Sequence, residues 1–261
     1  MERIPGVMQV VLVGAAVLWG IAALVVVVAR RHMIREGGVL AGAMMVLFRV
    51  YARVMHRVRF EGEERVPLGR ASGDAQGVPR GADAPLIVVA NHTAGIDPIL
   101  IQAGLPFEVR WMMAEDMRVG WMQPLWDLGR IIFVDRENGD SRSLREALRH
   151  LKQGGALGVF PEGAIERAPR RIKPFKDGVG FLIKKSGAAV LPVVVEGTPS
   201  TATAWGSIWR RSHATVRFLP VRDLAGCDGD AAAITRALER LFLEETGWAK
   251  AGDGPDRLVG A

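Results

Sequence analysis

The feature that most limits the fold is a rhythm of short apolar runs separated by helix-length segments. Runs at 58–61, 86–90, 109–113, 131–134, 156–160, 190–195 and 215–219 all have strand length. Several are apolar throughout, as in Leu-Ile-Val-Val-Ala at 86–90. A strand covered on both faces reads that way, whereas a strand with one wet face alternates. Between the runs, 141–153 puts Leu144, Leu148 and Leu151 on one helical face and stops at Gly154-Gly155, with Ser141 or Ser143 placed to cap it. Further helices are predicted over 177–186, stopped at Gly187, and over 231–246, with Ile234, Leu238, Leu241 and Phe242 on one side. Strands alternating with helices predict one α/β domain with a largely buried sheet.

Ahead of this body lies a different kind of segment. Residues 7–29 carry no charge over 23 positions. A helix of that length spans roughly 34 Å, enough for a hydrocarbon core of about 30 Å. Arg30-Arg31 follow the run and only Arg3 precedes it, which is the reverse of a cleaved signal peptide and places the body in the cytoplasm. The net charge of +6 is carried by 30–59, with seven arginines and one acid, Glu36. Within it, 39–58 spaces Arg49, Arg53 and Arg57 four apart, on one helical face. A basic amphipathic helix beside an apolar segment reads as lying on an anionic membrane surface, and a solvated arginine face stays open as the alternative. The two segments form either a true span followed by a surface helix or a hairpin dipping into one leaflet.

These observations divide the chain into a membrane-anchoring region at 1–57, an α/β body at 58–250 and a tail at 251–261. A Gly-, Ala-, Pro- and Asp-rich stretch at 67–85 reads as a mobile loop. One cysteine, Cys227, excludes an intrachain disulfide and a Cys-rich zinc site. The body is charge-balanced and has no basic stripe interleaved with aromatics, which argues against nucleic acid. Neither a P-loop nor a complete Gly-x-Gly-x-x-Gly occurs, and no Gly-x-Ser-x-Gly supports a serine hydrolase.

Chemistry gathers at three strand ends. Asn91-His92-Thr93-Ala94-Gly95-Ile96-Asp97-Pro98 follows the run at 86–90. A carboxylate on one imidazole nitrogen fixes the tautomer and makes the other more basic, which is what a general base needs. In a straight helix, however, five residues turn about 500°, so His92 and Asp97 meet only if the chain bends back. A loop histidine beside a helix-capping aspartate is the plainer reading of the motif alone. Phe160-Pro161-Glu162-Gly163 follows the run at 156–160, with Arg167 and Lys176 downstream. Asp135-Arg136 follows the run at 131–134. A base, a carboxylate and cations at neighbouring strand ends make a site.

The ordered set Asn-His-x4-Asp, Arg136, Phe-Pro-Glu-Gly, Phe175-Lys176-x-Gly178 and Val190-Leu191-Pro192-Val193 resembles the glycerolipid acyltransferases of the 1-acyl-glycerol-3-phosphate acyltransferase type, over about residues 86–197. The fold this resemblance implies is α/β, a mixed, largely buried β-sheet flanked by helices and preceded by an N-terminal membrane helix. The mechanism it implies is general-base catalysis by His92, oriented by Asp97, with an acceptor hydroxyl attacking an acyl thioester of coenzyme A or acyl carrier protein, and no metal or other cofactor. Arg136, Glu162 and Gly163 would shape the acceptor site, Arg167 and Lys176 would serve its charge, and the strand around Pro192 would frame the acyl site. The implied partners are a lipid acceptor, the acyl carrier and the cell membrane, with the catalytic body on its cytoplasmic side.

Two positions depart from the family pattern. The segment after Phe-Pro-Glu-Gly is usually Thr-Arg-Ser and here is Ala164-Ile165-Glu166. The serine often found two positions after the motif histidine is Ala94. The first removes an arginine expected to grip an acceptor phosphate and opens the alternative of a different acceptor, such as an amino-lipid or glycolipid precursor. An inactive lipid-binding protein is a further alternative, opposed by the intact His92 and Asp97.

Overall fold

The computed structural model describes residues 38–67, 84–135, 141–226 and 229–252. The described residues begin with α1 (Gly38–Met55), then β1 (Arg59–Glu61), β2 (Leu86–Ala90), α2 (Asp97–Gly104), β3 (Arg110–Ala114), α3 (Gln123–Leu128), β4 (Ile132–Val134) and α4 (Ser141–Lys152). It continues with β5 (Ala156–Val159), β6 (Arg171–Ile172), α5 (Gly178–Ser186), β7 (Ala189–Glu196), β8 (Thr215–Phe218), α6 (Ala231–Thr246) and β9 (Ala249–Lys250). Each predicted strand is present within one residue of its expected limits.

Seven strands form one sheet in the order β1-β8-β7-β2-β5-β3-β4. The pairs β7–β2, β2–β5, β5–β3 and β3–β4 are parallel, β8 joins β7 antiparallel, and β1 joins β8 parallel. The sheet is therefore mixed, as expected. Every residue of β2 is buried. Val88 and Ala90 pack toward the side that holds Ala52, Leu100 and Ile101 of α1 and α2. Ile87 and Val89 pack toward Leu151, Leu182, Leu238 and Phe242 of α4, α5 and α6. Period-two alternation between two covered faces explains the unbroken apolar run.

Pro192 lies inside β7, where a missing N–H is costly. Its carbonyl accepts from Leu219 N–H at 2.9 Å, so its edge meets the chain just past β8, where regular pairing has ended.

The charged face expected on the first helix is rebuilt by its neighbours. α1 ends at Met55, and Arg57 lies beyond it at φ 42, bonded to His213 Nε2 at 2.9 Å. Arg49 Nε donates to Ala103 O at 2.7 Å, satisfying a last-turn carbonyl of α2 that has no partner within its own helix. Arg53 stays exposed on α1, beside three exposed apolar residues, Leu47, Val50 and Val54. Among the described residues no helix is long and apolar enough to cross a membrane. The apolar segment at 7–29, most of the loop at 67–85 and most of the tail lie outside the described residues. Ser141 and Ser143, the two expected caps, both lie within α4, and the position before the helix is outside the described residues.

Candidate functional site

β2 and β5 run side by side in parallel, with Val89 opposite Val159. Their carboxyl ends therefore deliver 91–97 and 160–166 to the same edge, where α/β sheets place ligands. The chain after β2 bends at once. Asp97 Oδ2 accepts from Thr93 N–H at 2.7 Å and Ala94 N–H at 2.8 Å, a tight turn that brings its carboxylate under the imidazole. His92 Nδ1 lies 3.0 Å from the same oxygen. Asp97 is wholly buried and His92 keeps 16% of its side chain exposed. A proton on Nδ1 satisfies the carboxylate and leaves Nε2 as the basic nitrogen.

The loop is fixed on every side. Asn91 extends the β2–β7 pairing with its side chain: Nδ2 donates to Val195 O at 2.9 Å and Oδ1 accepts from Val195 N–H at 2.8 Å. Thr93 Oγ1 meets Thr198 Oγ1 at 2.7 Å. The His92 ring stacks on Phe160, centroids 4.1 Å apart at 19°, and Phe160 stacks on Trp111 at 5.1 Å. Trp111 needs Gly158 beneath it, because a Cβ there would lie 2.3 Å from the indole.

His92, Phe160 and Trp111 line a cavity of about 970 Å³. Its walls are mainly apolar, with Met112, Met113, Val134, Leu144, Val179 and Leu182 among them. Gly163, Arg167 and Lys176 also line it. Gly163 adopts φ 69, and a Cβ on it would lie 2.8 Å from Lys176 Nζ, so the ammonium passes directly over the glycine. Arg167 and Lys176 are exposed cations on the cavity wall.

Glu162 does not join them. It is 4% exposed and is absent from the cavity lining, because both oxygens face backbone: Oε1 accepts from His92 N–H at 2.7 Å and Oε2 from Lys173 N–H at 2.9 Å. Burial pushes its carboxyl from 4.5 up to about 7, against the pull of those two N–H groups. Glu162, expected to shape the acceptor site, thus turns its carboxylate to the backbone and away from the cavity wall. Pro192 is likewise buried in the sheet and does not line the cavity. Arg136 lies outside the described residues, one position past Asp135, which lines the cavity.

Sequence reasoning missed a whole wall. The segment from β7 to β8 folds back over the site, and Ala202, Thr203, Ala204 and Trp205 line the cavity. Trp205 packs against Trp126 of α3 at 5.6 Å. A buried cluster holds this segment to the end of α1. His56 Nδ1 bonds Ser212 Oγ at 2.8 Å, His56 Nε2 meets Tyr51 OH at 3.1 Å, and Tyr51 OH donates to Ile208 O. Burial holds the His56 imidazole below its usual value, and the charge of Asp97 partly opposes this. The segment has no apolar period; its signal was Trp205 and Trp209 in an otherwise polar loop. Among the described residues no group of three or more His, Cys, Asp or Glu is gathered as for a metal ion.

A buried acid–imidazole pair whose ring lines an apolar cavity, with cations on the same wall, is an arrangement able to act as a general base toward an amphiphilic molecule. The chain belongs to the acyltransferase family, whose model matches residues 57–196. It is 26% identical over 121 residues to a Bacillus subtilis protein named 1-acyl-sn-glycerol-3-phosphate acyltransferase, covering 46% of this chain and 59% of that one. It is 32% identical over 127 residues to an Arabidopsis thaliana N-acylphosphatidylethanolamine synthase, covering 43% and 44%. The chain spans about half the length of the curated relatives it matches. The crystal structure of the 1-acyl-sn-glycerophosphate acyltransferase PlsC from Thermotoga maritima shares its fold, with a TM-score of 0.58 at 21% identity over 87% of this chain and 88% of that one.

Proposed function

We propose that the protein is a membrane-associated acyltransferase that moves an acyl group from acyl-CoA or acyl carrier protein to the hydroxyl of a lysophospholipid, 1-acyl-glycerol-3-phosphate above all. The observation that carries this reading is the 3.0 Å contact of His92 Nδ1 with buried Asp97, in a ring that lines the cavity. His92 Nε2 takes the proton of the acceptor hydroxyl as that oxygen attacks the thioester carbonyl. The carbon–oxygen bond forms, the carbon–sulfur bond breaks, and the imidazolium returns its proton to the leaving thiolate. A thioester is already activated, so one base and good positioning suffice. The apolar cavity suits an acyl chain, and Arg167 and Lys176 suit an anionic acceptor head. The names of the Bacillus and Thermotoga proteins support the acceptor.

A second reading, transfer to an amino-lipid or glycolipid precursor, draws on one position. Ile165 stands where the family usually has arginine and lines the cavity itself. The likeness to an N-acylphosphatidylethanolamine synthase points the same way. Incubating the protein with a labelled acyl thioester and a panel of acceptors separates the two. Acylation of 1-acyl-glycerol-3-phosphate, lost in His92→Ala, supports the first. Acylation of only another acceptor supports the second, and Ile165→Arg then gains activity on the phosphate acceptor alone. No transfer to any acceptor rejects both.

A further inference from the structure

Glu162 is the one carboxylate of the Phe-Pro-Glu-Gly turn, and its surroundings are made of peptide groups. His92 and 162–166 are bridged in both directions: His92 N–H donates to Glu162 Oε1 at 2.7 Å, and Glu166 N–H donates to His92 O at 2.8 Å. The pattern is that of two paired strands in which a side chain supplies one acceptor. The other oxygen reaches Lys173 N–H, next to β6, at 2.9 Å. One buried carboxylate thus joins the end of β2, the turn after β5 and the strand β6.

The charged groups facing it are otherwise engaged. Lys173 Nζ donates to Ile165 O at 2.8 Å, and Glu166 accepts from Ala168 N–H at 2.7 Å. Lys176, whose N–H binds Pro161 O at 2.9 Å, lies on the cavity side over Gly163. The His92 imidazole is turned to Asp97. Among the described residues no cation is bonded to the Glu162 carboxylate; its two N–H donors stabilise the charge directly, and the Lys173 ammonium adds to this from further away.

We propose that Glu162 is a positioning residue: as a carboxylate it holds the His92 and Lys173 N–H groups together, fixes the backbone from which the imidazole projects, and leaves acceptor binding to the groups that line the cavity. The inference rests on His92 being the base. An ionised carboxylate offers an acceptor to each N–H. A protonated carboxyl carries hydrogen on one oxygen, which then accepts poorly and seeks an acceptor of its own. Burial brings that exchange to about 7. The Glu162 carboxylate therefore holds both N–H groups in the alkaline form and only one in the acid form. A loss of alignment of this kind costs rate rather than affinity, because the hydroxyl and the imidazole must meet within a fraction of an ångström.

Two measurements test it on the whole chain. In amide spectra of the wild type titrated from about pH 5.5 to 8.5, the His92 and Lys173 N–H signals should move together, with one midpoint near the Glu162 value. In Glu162→Gln that shared transition should vanish. In steady-state kinetics, Glu162→Gln should lower kcat about 10- to 100-fold and change the acceptor KM by less than about 2-fold. A raised acceptor KM with kcat intact would make Glu162 an acceptor ligand and overturn the proposal. Independent titration of the two amides, or none, overturns it as well, and this arm needs only the wild type should the variant fail to fold. If the amides titrate together but the wild type acylates no acceptor, the contact stands and the proposed function fails.

Discussion

Phe160 lies flat against His92, its ring centroid 4.1 Å away, and so covers one face of the imidazole while Asp97 holds its edge. The ring is fixed in rotation by one residue and in tilt by the other. Stacked aromatic pairs contribute about 0.5–1.5 kcal/mol beyond burial. Phe160→Leu keeps an apolar wall but removes the stack. It should lower kcat about 2- to 10-fold with little change in acceptor KM, as read from initial rates. Unchanged kcat would mean that Asp97 alone orients the ring.

The charged groups of Arg167 and Lys176 line the cavity, and only the backbone of Lys176 joins the hydrogen bonds described above. Replacing both with alanine should raise KM for a phosphate-bearing acceptor about 10-fold or more, the scale of a lost charge-assisted hydrogen bond. KM for an uncharged acceptor should hold. Equal losses on both acceptors would assign these cations to the acyl carrier instead.

Gly158 leaves room for Trp111 under the ring stack. Gly158→Ala should destabilise the protein by about 1–3 kcal/mol, the usual cost of overpacking, and lower the rate by shifting Trp111 and Phe160. Chemical unfolding and acyl transfer measured on the same preparation check both effects. A stable variant at full rate would show that the stack is not needed for alignment.

Two buried groups give stability opposite slopes with pH. The Glu162 carboxyl is raised from 4.5 to about 7, so the folded state binds more protons than the unfolded chain between those values. Stability from this group therefore falls as pH rises through that window, by on the order of 3 kcal/mol, and is level above it. His56 is held below 6.5, so its contribution is complete above 6.5 and is lost as pH falls through its folded value. Urea unfolding across pH should show the first slope disappear in Glu162→Gln and the second weaken in His56→Asn. Slopes unchanged by both substitutions would contradict these assignments. Glu162 is thus most costly to stability in the ionised form that holds the His92 and Lys173 N–H groups together.

Much of the site could be read from the sequence because it is local. His92 and Asp97 are five residues apart, and Gly95 and Pro98 mark the bend and the helix start that bring them together. The apolar runs located the strands because burial on both faces leaves no polar position. What stayed hidden depends on distant partners. Nothing near Glu162 says that it points inward, since its donors belong to residues 92 and 173. Of the three arginines spaced four apart, Arg49 is claimed by the end of α2, Arg53 stays exposed on α1 and Arg57 falls past the helix. The two-residue strands β6 and β9 are too short to show a period. The wall at 202–205 runs from a loop into a short 3-10 helix, Ala204–Trp209, and is placed by Tyr51 and His56, which are distant in sequence.

The central claim is that His92 is the base and Asp97 acts through it. A double-mutant cycle on kcat/KM for acyl transfer tests this most directly. His92→Ala should lose about 10²–10⁴-fold, Asp97→Asn an equal or smaller factor, and the double variant no more than His92→Ala alone. A His92→Ala enzyme near full rate, or losses that multiply in the double variant, would contradict the account.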